Sequence, residues 1–315
     1  MCTAVRFSDA KGNMYFGRNL DWSCGYGQKV VITPRGWQAP YRFIDSAPTQ
    51  QAIIGMGIIE QNYPLYFDCA NENGLACAGL NFPGFAQYAA SPVDDRTNIA
   101  AFEFPFWVVD KFASVDEAEE ALRNVVIVNE PINDGMPCSL LHWIIGDGKR
   151  SIVVEHMPDG IHVYRDDADV LANQPTFPWH LENLRNYVAQ NPDVPTDAAW
   201  RDALLSAYGS GAGMRGIPGD YYSTSRFAKV AYLNAFHPDV EGEADNISRL
   251  FHELGNVSMC LGGAKMTNGE FEKTIYTGGY SSLTKTYYFN CYEDPTIRKV
   301  SLSEYANGTE LIAVD

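Results

Sequence analysis

Met1-Cys2-Thr3-Ala4-Val5-Arg6-Phe7 opens the chain, Lys11-Gly12-Asn13 follows, and then Met14-Tyr15-Phe16-Gly17-Arg18-Asn19-Leu20-Asp21-Trp22. Thr3, Val5 and Phe7 alternate with Ala4 and Arg6, which is the two-residue period of a strand. The Lys-Gly-Asn cluster is a turn, and Met14 to Leu20 reads as the returning strand. Such a hairpin carries Arg18 and Asp21 back beside residue 2. Methionine aminopeptidases trim Met when the next side chain is small, so Cys2 is expected to become the first residue. Thiol and α-amine then belong to one residue. Their ordinary values, about 8.5 and about 7.7–8.0, leave the amine partly neutral at cellular pH. It can then take the thiol proton, directly or through one water. An α-amine at a strand start needs an acceptor such as Asp21, and a thiolate is stabilised by a nearby guanidinium such as Arg18. The plainer alternative is that Arg18 and Asp21 form an exposed ion pair of little value.

Composition narrows the classes. The 315 residues suffice for one large domain or two small ones. A hydrophobic content of 46% supplies a sizeable core and excludes global disorder. The net charge of −16 argues against nucleic acid or an anionic membrane as partner, since both need basic patches. It serves solubility instead. No basic and then apolar leader precedes Cys2, and no apolar run approaches the ~20 residues of a membrane span. The seven cysteines are odd in number and irregularly spaced, without C-x-x-C. A reduced, cytoplasmic setting is expected rather than a disulfide framework.

Further strands are expected at 28–33, 51–59, 65–70 and 75–80, the last two joined through Asn71-Glu72-Asn73-Gly74 as a hairpin. Ser114-Val115-Asp116-Glu117 reads as a capping box opening a helix to about Asn124. Strands at 140–145 and 151–156 flank a Gly146–Arg150 turn, with two more at 161–165 and 169–173. Helices are expected at 179–190, 225–236 and 243–254, and strands again at 273–276, 286–290 and 298–302. Strands thus cluster at both ends with helices between, which points to layered, largely antiparallel sheets covered by helices. With no repeat and no linker, residues 1–315 read as one domain with a Pro/Gly-containing excursion at about 191–220. Gly211-Ala212-Gly213-Met214-Arg215-Gly216 matches G-x-G-x-x-G only formally, because Pro218 follows at once where a nucleotide loop needs a helix. The six histidines show no metal-ligand spacing. The remaining cysteines read as buried thiols, with Cys24 the possible exception.

Several stretches go further together. Cys2-Thr3 with Phe16-Gly17-Arg18-Asn19-Leu20-Asp21, Asn71-Glu72-Asn73-Gly74-Leu75 and Ala78-Gly79-Leu80-Asn81-Phe82-Pro83 belong to one pattern. Leu171-Ala172-Asn173-Gln174-Pro175 and Gly216-Ile217-Pro218-Gly219-Asp220 with Ser225-Arg226-Phe227 continue it. In these the sequence resembles the choloylglycine hydrolases, N-terminal-nucleophile enzymes that include bile salt hydrolases and penicillin V acylases. The resemblance spans essentially the whole chain. It implies an α+β fold, a four-layer αββα sandwich of two largely antiparallel sheets. It implies Cys2 as nucleophile and its α-amine as base, Arg18 beside the sulfur and Asp21 on the amine. Asn81 and Asn173 match the oxyanion-hole pair, a backbone N–H and an asparagine side chain, and Arg226 would complete the polar network. Leu20, Trp22, Tyr26, Phe67, Ile132 and Met136 occupy stretches that line the family's substrate pocket.

The resemblance also implies the chemistry: hydrolysis of a glycine- or taurine-conjugated bile salt through a thioester, with no metal or organic cofactor, by a cytoplasmic homotetramer. Penicillin V acylase activity on the same machinery is the near alternative, and a catalytically silent ligand-binding relative the distant one. Asn81 favours bile salts, since many penicillin V acylases carry tyrosine at that place.

Overall fold

The N-terminal hairpin forms as its alternation requires. In the computed structural model, which describes Met1–Asp315, β1 (Cys2–Ser8) pairs antiparallel with β2 (Met14–Trp22). Cys2 lies opposite Leu20 and Ala4 opposite Arg18. All but the last residue of each strand is buried, so both faces of the hairpin are covered. In chain order there follow β3 (Lys29–Thr33), β4 (Ile53–Glu60), β5 (Tyr63–Asn71), β6 (Ala76–Asn81), α1 (Phe104–Lys111) and α2 (Val115–Leu122). Next come β7 (Leu141–Gly146), β8 (Ser151–Met157), β9 (Gly160–Asp166), β10 (Val170–Leu171), α3 (Phe177–Leu184), α4 (Ser223–Phe236) and α5 (Glu243–Gly255). The last strands are β11 (Phe271–Ser281), β12 (Thr286–Cys291), β13 (Arg298–Ser301) and β14 (Ile312–Val314).

Two antiparallel sheets result. One runs β10-β1-β2-β11-β12-β13, with Ala264–Lys265 added beside β11. The other runs β9-β8-β7-β6-β5-β4-β3-β14. One apolar core joins Ala4 and Phe16 of the first sheet to Ala78, Ile144 and Val153 of the second, and reaches Phe227 and Leu250 on α4 and α5. The second sheet turns its other face, with Trp143, Ile145 and Val154, onto Phe106 and Val109 of α1 and Leu122 of α2. The layers are therefore helices, sheet, sheet, helices: the αββα sandwich. Alternating strand faces make this possible, because residues i and i+1 serve different layers. The first sheet admits α5 closely at Gly17, where an added Cβ would lie 2.6 Å from Gly278 O and 3.0 Å from Leu250.

Local departures from expectation have local reasons. Helix α1, Phe-Pro-Phe-Trp-Val-Val-Asp-Lys, is buried almost all round and so has no amphipathic stripe to betray it. Ser114 does cap α2 by accepting the Glu117 N–H, yet the Glu117 carboxylate reaches Ala113 N rather than closing the box on Ser114. Helix α3 starts at Phe177 with Pro178 in its first turn, and a 3₁₀ turn at Arg185–Tyr187 replaces its expected tail. The 191–220 excursion contains a two-stranded hairpin, Ala198–Trp200 against Ala203–Leu205, with every one of those six residues exposed. Cys69 and Cys77 are buried as expected, but Cys260 is exposed together with Cys24.

Candidate active site

Register decides what surrounds Cys2. On its sulfur side, Arg18 Nη2 donates to Cys2 Sγ at 2.6 Å. The guanidinium is 1% exposed and is held from behind, Nη1 donating to Phe67 O at 3.2 Å and Gly79 O at 3.0 Å. Its ring neighbour is Tyr276, 5.9 Å from the guanidinium carbon. Tyr276 donates to Asp68 Oδ2 at 2.5 Å and Tyr287 to Asp68 Oδ1 at 2.6 Å, so both oxygens of that buried carboxylate are used. Burial pushes the Asp68 carboxyl up, and Arg18 with the two hydroxyls pulls against it. For Arg18, desolvation acts downward but is outweighed by the Cys2 sulfur, Tyr276 and Asp68, and the guanidinium stays above its ordinary value.

On the nitrogen side, Cys2 N donates to Asn173 Oδ1 at 2.7 Å. Arg226 Nη2 donates to the same oxygen at 2.7 Å. Arg226 Nη1 reaches Cys2 O and Thr3 Oγ1, and Nε donates to Tyr221 O at 2.9 Å. Asn173 Nδ2 donates to Asn81 O at 2.8 Å, and these contacts agree on which amide atom is oxygen. Arg226 is fully buried, and desolvation holds it below its ordinary value.

Asp21 lies beside a chain that still begins with Met1. Its backbone oxygen accepts the Met1 ammonium at 2.5 Å, Oδ1 accepts Thr274 Oγ1 at 2.5 Å, and Oδ2 is buried without a partner. Burial pushes this carboxyl up, with Arg226 and the N-terminal ammonium opposing. The Met1 ammonium also pairs with Glu272 at 3.1 Å.

Leu20, Trp22, Tyr26, Phe67, Ile132 and Met136 all line one cleft, whose floor carries Cys2, Arg18, Asp21 and Asn81. Its space, counted out to solvent, is about 1240 Å³. Tyr26 and Phe67 meet edge to face with centroids 5.5 Å apart at its rim. Asn173 and Arg226 are not in the lining; they stand behind Cys2. The exposed ion pair that was the plain alternative for Arg18 and Asp21 does not form, since both are 1% exposed. Asp68, Thr274, Tyr276 and Tyr287 join the cluster unannounced, through Asp21 and around Arg18, because nothing local marks a residue that arrives only across a sheet or between two sheets. No group of three or more His, Cys, Asp and Glu side chains converges in a way that would hold a metal ion. No helix is long and apolar enough to cross a membrane.

The sequence profile for linear amide C–N hydrolases of the choloylglycine hydrolase family matches residues 2–313. The chain is 55% identical over 316 residues to a bile salt hydrolase/transferase of Bifidobacterium longum subsp. longum, covering 100% of this chain and 99% of the relative. It is 44% identical over 314 residues to a conjugated bile acid hydrolase of Lactobacillus acidophilus, covering 99% of each. The crystal structure of a C2A mutant of the conjugated bile acid hydrolase from Clostridium perfringens matches with a TM-score of 0.93 at 34% identity, covering 100% of this chain and 97% of that one.

Proposed function

The chain belongs to the choloylglycine hydrolase family and is a hydrolase of linear amide C–N bonds, and we propose that its substrates are conjugated bile salts, cleaved by Cys2 as an N-terminal nucleophile. The observation that carries this reading is the shared cleft: an apolar wall wide enough for a steroid ends at the Cys2 sulfur and the Arg18 guanidinium. Burying apolar ligand area there contributes about 25 cal/mol per Å² before the costs of association.

With Met1 removed, the Cys2 nitrogen becomes an α-amine beside Asn173 Oδ1, and the unpartnered Asp21 Oδ2 is its second acceptor. The amine takes the thiol proton, and the thiolate, faced by Arg18, attacks the amide carbonyl. The resulting oxyanion is held by the Asn81 backbone N–H and by the second proton of Asn173 Nδ2, the first being used on Asn81 O. The α-ammonium then protonates the departing glycine or taurine nitrogen, the C–N bond breaks, and a thioester remains. Water, deprotonated by the same amine, cleaves the thioester and restores Cys2. An amine in place of that water would conjugate the acyl group anew, which is what the word transferase in the Bifidobacterium relative's name suggests for this chain too.

The test is a side-by-side kcat/KM on glycocholate, taurocholate and penicillin V, with one-to-one alkylation of Cys2 as control. Conjugated bile salts are expected to be the better substrates and alkylation to abolish turnover. Higher efficiency on penicillin V would overturn the substrate, undiminished turnover after alkylation would overturn the nucleophile, and no turnover on any of the three before alkylation would favour a silent binder. Intact mass of active protein should lack Met1.

We also propose that residues 1–315 are one domain working in the cytoplasm as a homo-oligomer, a tetramer by family resemblance, joined through the excursion. Trp200 at 75%, Leu204 at 86% and Tyr208 at full exposure are apolar side chains that a monomer leaves in water. Shortening 198–205 should lower the mass seen by light scattering; an unchanged mass would count against it.

A further inference from the structure

Asn173 is the side chain on which the Cys2 nitrogen rests, and its own backbone is tied by two histidines that line no part of the cleft. His180 Nε2 lies 2.8 Å from Asn173 O, and His142 Nε2 lies 2.8 Å from Ala172 O. A carbonyl oxygen only accepts, so each Nε2 carries the proton and donates. Between them, Asn173 N donates to Ser223 Oγ at 3.0 Å. The peptide units on both sides of Asn173 are therefore fixed at three points.

Each ring is itself fixed. His142 stacks on Phe82 with centroids 4.2 Å apart and 6° between planes, and its Nδ1 faces Glu155 Oε1 at 3.3 Å. The same Glu155 oxygen accepts the Phe177 N–H at 2.8 Å, at the start of α3. His180, on α3, stacks on Phe227 of α4 with centroids 4.5 Å apart and 19° between planes. Both histidines are wholly buried. Burial pushes His180 down to about 4, so it is a neutral donor at neutral pH. Its Nδ1 has no partner. A group that only filled space would be better served by an apolar ring, since a buried unpaired polar atom is costly.

We propose that His142 and His180 are positioning residues for the reaction: by holding the Ala172 and Asn173 carbonyls they aim the Asn173 amide at Cys2 N and Arg226 Nη2. The inference rests on the reading of Cys2 as nucleophile. Neither histidine touches substrate; both act through Asn173. A misplacement of about 1 Å in a reacting constellation costs about a hundredfold in rate. Loosening this segment moves the amine and its oxyanion donor but leaves the apolar wall untouched, so kcat falls and KM does not move.

The experiment compares His180→Phe with His180→Gln, and His142→Phe with His142→Gln, on glycocholate. Phe keeps the stacked ring and removes the donor; the Gln amide can restore a donor near the place of Nε2. The Phe variants should lose about ten- to a hundredfold in kcat with KM within twofold, and Gln should recover most of the loss. Wild-type kcat in the Phe variants, equal losses in Phe and Gln, or a loss confined to KM would each overturn the proposal. Should a Phe variant not fold, His180→Asn and His142→Asn carry the test: the shorter amide stays polar but falls short of the carbonyl, so a fall in kcat alone supports the proposal, while wild-type kcat overturns it. A Cys2→Ala control separates the two readings. If that variant keeps turnover, the nucleophile assignment has failed, whatever the histidines do.

Discussion

The sulfur of Cys2 and the nitrogen of Cys2 are served by two buried arginines in unlike surroundings. Arg18, behind the sulfur, has a carboxylate nearby whose own oxygens are both occupied by tyrosine hydroxyls. Arg226, behind the nitrogen, spends its donors on two carbonyls, a hydroxyl and an amide oxygen. Its nearby carboxylate, Asp21, has one oxygen unpartnered. The sulfur side is thus a closed cluster that holds a fixed charge, and the nitrogen side is one that can still accept a proton donor. The difference suits the role proposed for Cys2, whose thiolate would be stabilised at one end while its amine exchanges protons at the other.

The largest effect should come from the atom both sides serve. Cys2→Ala should abolish turnover, a loss on the scale of ~10⁶ seen when a nucleophile is removed. The melting temperature should stay within a few degrees, since little volume leaves a 6% exposed site. Melting and turnover measured on one sample check this, and turnover near wild type would dissolve the comparison at its centre.

The arginines come next. Arg18→Leu leaves Asp68 without its cation, and Arg226→Leu takes away the donor that the Cys2 carbonyl and the Thr3 hydroxyl share, leaving Asn173 Oδ1 with Cys2 N alone. Each should cost roughly 3–5 kcal/mol of stability, the usual result of removing one partner of a buried charged cluster. Adding Asp68→Asn should recover part of the loss in the Arg18→Leu protein and none in the Arg226→Leu protein. Denaturant midpoints of the five proteins give the answer; equal recovery in both backgrounds would mean the two sides are one electrostatic cluster.

How much of this was readable from the chain divides along the same line. Arg18 and Asp21 lie on a hairpin whose alternation and turn are local, so their return to Cys2 follows from sequence spacing alone. Asn81, Asn173 and Arg226 came only through resemblance, since Asn81 ends β6, Asn173 lies in the bend after β10 and Arg226 is on α4. Asp68, Tyr276 and Tyr287 gave no signal: Asp68 is on β5 of the second sheet and the tyrosines are on β11 and β12 of the first, and only face-to-face packing joins them. The Asp21 carboxylate is expected on the α-amine of Cys2; with Met1 attached the ammonium sits one residue further on and takes Asp21 O, which leaves Oδ2 open. Helix α1 escaped because a helix buried all round carries no period.

A smaller effect should separate holding from reacting. Burial and the Asp68 charge push the Tyr287 hydroxyl well above its ordinary value, so it remains a protonated donor. Tyr287→Phe removes one donor to a buried carboxylate and should destabilise by about 1.5–3 kcal/mol. Because Tyr276 still holds Asp68, kcat should change by less than tenfold, with wild-type KM. A rate loss as deep as that of Arg18→Leu would show that Tyr287 takes part in the chemistry.

The smallest effect concerns a carboxylate that has the burial of Asp68 without its arginine or tyrosines. Asp166, at the end of β9, is 3% exposed, accepts Ala168 N at 3.0 Å through Oδ1, and leaves Oδ2 unpartnered. Burial, then the charge of Asp169, raise its carboxyl well above the ordinary value, with backbone N–H groups opposing. A raised folded value means that the folded chain prefers the protonated acid. The stability that preference supplies is full below about pH 3.9, the unfolded value, and is lost as pH rises toward the folded one. Asp166→Asn keeps the Oδ1 acceptor and cannot ionise. It should therefore melt above wild type at pH 7, by about 2–4 °C for each kcal/mol of relieved cost, with the gap closing below about pH 4. A melting curve series from pH 4 to pH 8 reads the gap directly. If the gap is absent or does not depend on pH, burial alone is not what raises Asp166, and the contrast with Asp68 loses its control.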